Sequence, residues 1–173
     1  MAYLISPVIR KILPLDELVK IRDTFRLKKT VVTTNGCFDI LHVGHIRALQ
    51  ESKEQGNLLI VGIDSDEAIK RRKGKDRPIN SEEDRAEMLA ALECVDYITI
   101  YNFDDCRPFI EAILPQVHTN GPEYGRPEEW IEYSVLLKHN IRPHTYTRHK
   151  NLKGVDYSTT DLVARIGEAA KHG

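Results

Sequence analysis

The chain has 173 residues, with 25 basic and 26 acidic side chains and a formal charge of −1. That length suits one domain, which buries roughly 68–70% of its unfolded surface and needs no staples. The balanced charge argues against a general nucleic-acid or anionic-membrane surface. The three cysteines, Cys37, Cys94 and Cys106, share no metal-ligand spacing, and their odd number closes no disulfide framework. A reduced, cytoplasmic setting follows. No apolar run approaches ~18 residues and no signal-peptide pattern opens the chain, so a soluble intracellular protein is expected.

Residues 1–29 read as an amino-terminal extension ahead of a domain at 30–173. An apolar lead (Leu4, Ile5, Pro7, Val8, Ile9) precedes an amphipathic helix after Pro14, with Leu15, Leu18, Val19 and Phe25 on one face. This helix is expected to pack on the domain or on a neighbouring subunit. The β-branched run 30–34 is a buried strand, which the turn signal Asn35-Gly36 ends. A helix then runs to Gly56, with His42 and His45 at its mouth. Three apart, the two histidines point to one side. A helix amino terminus offers free N–H groups and partial positive charge, and Gly44 leaves room for a ligand's oxygens to approach the backbone. Strand, glycine turn and helix make a phosphate-handling junction at the carboxyl end of a strand.

Residues 58–63 suit a strand buried on both faces, ending at Asp64, and Ser65 caps a short helix. Residues 70–80 follow as a basic stretch, in which six of eleven positions are Lys or Arg. Read alone, it is a solvated loop. A helix over 81–92 carries the box-like pair Ser81 and Asp84, and Arg85 read alone is a surface arginine pairing with Glu82 or Glu87. A strand over 95–101, a helix over 107–114 closed by Pro115, and a short strand over 116–119 come next. Cys106 is expected in packing. Asn120-Gly121-Pro122-Glu123-Tyr124 is a loop at the ligand edge. Pro127 starts a helix through Trp130, Tyr133 and Leu137, with Trp130 as a core anchor. A last strand is placed at 144–147, and Ser158 with Asp161 caps a final helix.

Gly36-Cys37-Phe38-Asp39 followed by His42-Val43-Gly44-His45 resembles the cytidylyltransferase-like branch of the nucleotidyltransferase superfamily. The nearest likeness is to the heptose 1-phosphate adenylyltransferases of bacterial surface-sugar synthesis, and the next is to glycerol 3-phosphate cytidylyltransferases. The resemblance covers about residues 30 to 166. It implies an α/β fold, a Rossmann-like three-layer sandwich around a mostly parallel five-stranded sheet. It also implies a nucleotidyltransferase acting on a nucleoside triphosphate and a phosphorylated sugar or polyol, with Mg²⁺ as cofactor and a homodimer as the common state. The heptose enzyme is often fused behind a sugar kinase, so any kinase is expected in a separate protein.

By this resemblance His42, His45 and Lys73 are catalytic. Asn35, Gly36, Cys37, Phe38, Asp39, Gly44, Arg85 and Ser158-Thr159-Thr160 hold the nucleotide, with Arg85 facing its phosphates. Asn120, Gly121 and Glu123 meet the acceptor, and Arg77 lies near the acceptor or shapes its loop. Asp39 has open roles: orienting a histidine, touching the metal's hydration shell, or capping the helix. No side-chain metal site is expected, since zinc at the histidines lacks a partner at a recognisable spacing, and no cysteine-hydrolase context surrounds Cys37. Walker and dinucleotide fingerprints are absent from the sequence.

Two segments depart from the heptose pattern. Asn120-Gly121-Pro122-Glu123-Tyr124 stands where that family has Lys-Gly-Gly-Asp-Tyr. Val155-Asp156-Tyr157 replaces acid-Gly-x before the Ser-Thr-Thr run, with Gly154 displaced and Lys153-Gly154 a candidate substitute cation. These changes leave the reaction type and bear on sugar and base. CTP or GTP with another sugar or polyol phosphate is the alternative, and a catalytically silent nucleotide sensor is a reading of another class.

Overall fold

The computed structural model describes residues 8–147, 150 and 157–171. Its centre is a five-stranded sheet in the order β3-β2-β1-β4-β5, with every neighbouring pair parallel. The strands are β1 (Val31–Gly36), β2 (Leu58–Asp64), β3 (Tyr97–Tyr101), β4 (Val117–Asn120) and β5 (Arg142–Thr145). Leu59, Val61 and Ile63 of β2 point to one side, against Leu49 of α2 (Val43–Glu54) and Ala86 and Leu89 of α4 (Glu82–Ala90). Leu58 and Ile60 point to the other side, toward Phe109 and Ile110 of α5 (Arg107–Ile113), Leu136 of α6 (Tyr133–Lys138) and Leu18 of α1 (Leu15–Lys28). This period-two division of a wholly apolar strand produces the expected three layers. Leu18 is fully buried, and Leu13 N–H donates to the Ile98 carbonyl at 2.9 Å, so the segment before β1 packs into this same core.

The expected elements form with four changes. Strand β1 continues through Asn35 and Gly36, which pair with Gly62 and Ile63, because a neighbouring strand overrides the local turn signal. Helix α3 (Asp66–Lys73) takes in the first part of the basic stretch, so Lys73 is its last residue and not a loop residue. The helix expected from Pro127 is interrupted. A 3-10 turn at Pro127–Glu129 ends at Trp130, whose extended backbone carries the indole into the core, and α6 starts only at Tyr133. The last strand lies two residues earlier than expected, which leaves Tyr146 and Thr147 beyond its carboxyl end. Cys106 packs in the core as expected.

Between β1 and β4 the strand order reverses direction, and ligands of open α/β sheets bind at such a point outside the carboxyl ends of the strands. The expected apolar residues at 4–7, the Phe25 side chain, and Lys153-Gly154 with Val155-Asp156 lie outside the described residues.

Candidate active site

Beyond β1 the chain turns sharply. Phe38 adopts φ 47°, a left-handed conformation that a bulky side chain rarely takes. Its ring stands edge-on to His45 at a centroid distance of 5.3 Å. His42 is the cap of α2, and its Nδ1 accepts from the His45 N–H at 3.4 Å. The proton of neutral His42 therefore sits on Nε2, free to donate. The two imidazoles stack, with centroids 3.8 Å apart and planes 14° from parallel. Burial, then His42, then Lys73 pull His45 down to about 4, and burial lowers His42 as well. Two stacked imidazolium ions would repel, so the empty site holds neutral rings that are ready to take a proton when an anion arrives.

Across from this pair lies the amino end of α7 (Thr159–Ala169). Ser158 caps it by accepting from Asp161 N–H at 3.3 Å, and the other first-turn N–H groups have no acceptor among the described residues. His42, His45, Lys73, Ser158, Thr159 and Thr160 share a cavity of about 390 Å³. A second cavity of about 170 Å³ adjoins Asn35, Gly36, Cys37, Phe38 and Asp39, and a third of about 480 Å³ lies toward Asp64 and Trp130. Lys73 lines all three. Two helix amino termini and one lysine bordering a shared space suit an anion.

Several expected residues sit elsewhere or do other work. Arg85 is fully buried and does not face phosphates. Its Nε donates to Asn80 O at 3.2 Å, Nη1 to Cys37 O at 2.6 Å, and Nη2 to Asp64 O and Asp66 Oδ1, both at 2.8 Å. A guanidinium whose donors are met by the carbonyls of three loops holds those loops together. Asp39, 3% exposed, accepts from Ile79 N–H at 2.8 Å and Asn80 N–H at 3.0 Å and pairs with Arg77 at 2.5 Å. The cap of α2 is His42 and not Asp39, which instead pins the loop ahead of α4 while lining the second cavity. Arg77 thus reaches the second cavity already paired.

Gly44 lines the first cavity and is also needed for close packing, because a Cβ there would lie 2.8 Å from Tyr157 Cβ and 3.0 Å from the His42 ring. Asn120 lines the third cavity, but its side chain donates to Glu132 and accepts from Gly121 N–H, both at 2.9 Å. Gly121 lines none of the three cavities, whereas Glu123 lines the first two. Cys37 is a poor nucleophile: burial, then Asp64, push its thiol up.

Sequence reasoning passed over Asp64, Glu132, Tyr146 and Tyr157. Asp64 ends a buried strand at the ligand edge, a signal present in the sequence. Tyr146 was hidden by the misplaced last strand, and Glu132 by the helix expected to run through it.

A family model described as cytidylyltransferase-like matches residues 33–165. The chain belongs to that family. Among curated proteins it is similar to the bifunctional protein HldE of Campylobacter fetus subsp. fetus, 48% identical over 115 residues, or 66% of this chain and 24% of that one. The HldE of Syntrophotalea carbinolica is 41% identical over 167 residues, or 91% of this chain and 33% of the relative. The chain thus spans a quarter to a third of the length of these relatives. Among solved structures it resembles a lipopolysaccharide core biosynthesis protein from Thermoplasma volcanium. That match has a TM-score of 0.59 and 28% identity and covers 70% of this chain and 99% of that one. A pantoate-beta-alanine ligase from Francisella tularensis shares the fold at TM-score 0.66 and 13% identity, over 88% of this chain and 72% of that one.

Proposed function

We propose that the chain is a nucleotidyltransferase that condenses a nucleoside triphosphate with a sugar phosphate, first of all ATP with heptose 1-phosphate, for bacterial surface polysaccharide synthesis. The observation that carries this reading is the stacked pair His42 and His45, set across one cavity from the amino end of α7 and bordered by Lys73. Family membership and the HldE relatives support it.

A phosphate oxygen of the acceptor attacks the α-phosphorus in line. The bond from that phosphorus to the bridging oxygen breaks, and pyrophosphate leaves with the electron pair. A phosphate monoester is already an adequate nucleophile, so positioning and charge neutralisation suffice. His42, through Nε2–H, and His45 donate to the α-phosphate and to the leaving bridge as charge builds there. Lys73 and the Ser158, Thr159 and Thr160 hydroxyls and N–H groups hold the outer phosphates. Asn35, Gly36, Cys37 and Phe38 form the wall behind them, and Glu123 borders both nucleotide-side cavities.

Among the described residues no group of three His, Cys, Asp or Glu side chains is arranged to hold a metal ion. Asp39 is already engaged by Arg77 and two N–H groups. Glu123, which lines both nucleotide-side cavities, would hold a hydrated Mg²⁺ by accepting from its water. Bound so, the ion neutralises phosphate charge.

No described helix is long and apolar enough to cross a membrane. A cytoplasmic homodimer is the state we expect for this enzyme, and sedimentation of the purified chain tests the dimer. CTP or GTP with another sugar or polyol phosphate remains the second reading, because Asn120 and Glu123 replace family residues at the acceptor edge.

The test is pyrophosphate release with Mg²⁺, crossing ATP, CTP, GTP and UTP against heptose 1-phosphate, hexose 1-phosphates and glycerol 3-phosphate. Release with ATP and heptose 1-phosphate is expected. Nucleotide binding without release for any pair would point to a silent sensor, and absence of nucleotide binding would overturn the site.

A further inference from the structure

We propose that Asp64, with Asn35 beside it, is the specificity-determining group of the acceptor side. Their side-chain oxygens would accept hydrogen bonds from hydroxyls of a polyhydroxylated phosphomonoester lodged in the 480 Å³ cavity next to Lys73. The proposal rests on the nucleotidyl-transfer reading above and deepens it.

The two residues end neighbouring parallel strands. Asn35 pairs with Gly62, two residues before Asp64, so the Asn35 and Asp64 side chains leave the same face of the sheet near its carboxyl edge. Asp64 is 3% exposed, and its carboxylate is held in place. Oδ2 pairs with Arg72 Nη2 at 2.5 Å and accepts from the Cys37 thiol at 3.3 Å, while the backbone carbonyl is fixed by Arg85 at 2.8 Å. The Tyr101 hydroxyl lies against this carboxylate, but Oδ1, like Asn35 Oδ1, is buried and makes no hydrogen bond among the described residues. Both residues line the same cavity. Two buried acceptors without a donor, on residues that line one space, call for a ligand that donates.

Charge decides which donor. The carboxylates of this wall are already partnered: Asp64 with Arg72, Asp105 with Arg107 at 2.7 Å, Glu129 with Arg126 at 3.2 Å, and Glu132 with His118 at 3.3 Å and Asn120. Burial favours protonation of Glu132, but the His118 and Asn120 contacts outweigh it and hold the carboxyl below its usual range. An ammonium group would meet no unbalanced negative charge, whereas neutral hydroxyls fit. With the ligand's phosphate at the end of this cavity that adjoins the histidines, its hydroxyl-bearing body faces Asp64, Asn35 and the Trp130 edge.

Calorimetric titration tests this with the protein saturated by α,β-methylene ATP and Mg²⁺, using heptose 1-phosphate, its single-deoxy analogues and ethanolamine phosphate as probes. In the wild type, removal of at least one hydroxyl should weaken binding by roughly 10- to 100-fold, the range for a hydrogen bond to a charged group. In Asp64→Ala the same deoxy change should cost no more than about threefold, the non-additivity that marks a direct contact. Methylene-ATP affinity should stay the same in both proteins. Should Asp64→Ala fail to fold, Asp64→Asn runs the same cycle.

Equal deoxy losses in wild type and variant would overturn the proposal. So would tighter binding of ethanolamine phosphate than of heptose 1-phosphate, or no binding of heptose 1-phosphate to a protein that binds methylene-ATP. In those cases pyrophosphate release still judges the enzyme reading separately. Loss of methylene-ATP binding by the wild type would remove that reading, and this proposal with it.

Discussion

Arg85 donates from Nη1 to the carbonyl of Cys37 at 2.6 Å, which ties the middle of α4 to the turn that precedes the histidines. The same guanidinium reaches Asp64 O, Asp66 Oδ1 and Asn80 O. Removing it strands four buried or half-buried acceptors at once. Arg85→Ala should therefore destabilise the fold by roughly 3–5 kcal/mol, as breaking a buried charged network does. Urea unfolding checks this. A variant of unchanged stability with weakened nucleotide affinity would return Arg85 to the phosphates.

Asp39 anchors the loop ahead of α4 through Ile79 and Asn80 N–H and Arg77. In Asp39→Ala those N–H groups lose their acceptor at a cost of about 1–3 kcal/mol. Hydrogen exchange at Ile79 and Asn80 should quicken well before exchange in β2 does. Uniform acceleration across the sheet would contradict a local anchor.

Gly44→Ala sets two effects against each other. Helix propensity favours alanine by about 1 kcal/mol. Against that, the new methyl would lie 2.8 Å from Tyr157 Cβ and 3.0 Å from the His42 ring. Because Tyr157 leads directly into the cap of α7, the methyl should push the two helix amino termini apart. We expect ATP affinity to fall by about tenfold, the scale of 1.4 kcal/mol, with little change in melting temperature. An unchanged affinity would mean that Tyr157 yields without moving α7.

The histidines predict a pH signature. His45 titrates near 4 in the folded chain against an ordinary 6.5, chiefly through burial. Between those values the unfolded chain binds the proton and the folded chain does not, so stability falls as pH drops from about 6.5 toward 4 and levels off below. His45→Gln should flatten that limb of the unfolding curve. A bound triphosphate reverses the balance by favouring imidazolium, so nucleotide binding near pH 5.5 should take up a proton. Calorimetry in buffers of differing ionisation enthalpy measures the uptake, and His45→Gln should reduce it.

What could be read without the structure was the local grammar. The β-branched run at 30–34, the apolar strand ending at Asp64, and the caps Ser65, Ser81 and Ser158 all rest on short-range physics, and they form as expected. The histidine pair was legible because a strand, a glycine turn and a helix mouth are contiguous in the chain. Long-range partnership was not. Arg85 reads as a surface or phosphate-facing residue until the carbonyls of Cys37, Asp64 and Asn80 come around it, and these are brought there only by the parallel sheet. Trp130 broke an expected helix because burying the indole outweighed local helix continuation. Asn120 and Glu132, twelve residues apart, reveal each other only once β4 and the turn before α6 are placed together.

The most direct test of the central claim is single-turnover pyrophosphate release by His45→Ala, at saturating nucleotide and acceptor, with circular dichroism and melting measured on the same sample. We predict a rate lower by about 10²–10³, the cost of removing one transition-state donor, in a protein whose fold and ATP binding are intact. A well-folded His45→Ala enzyme turning over at close to the wild-type rate would contradict the account of this site.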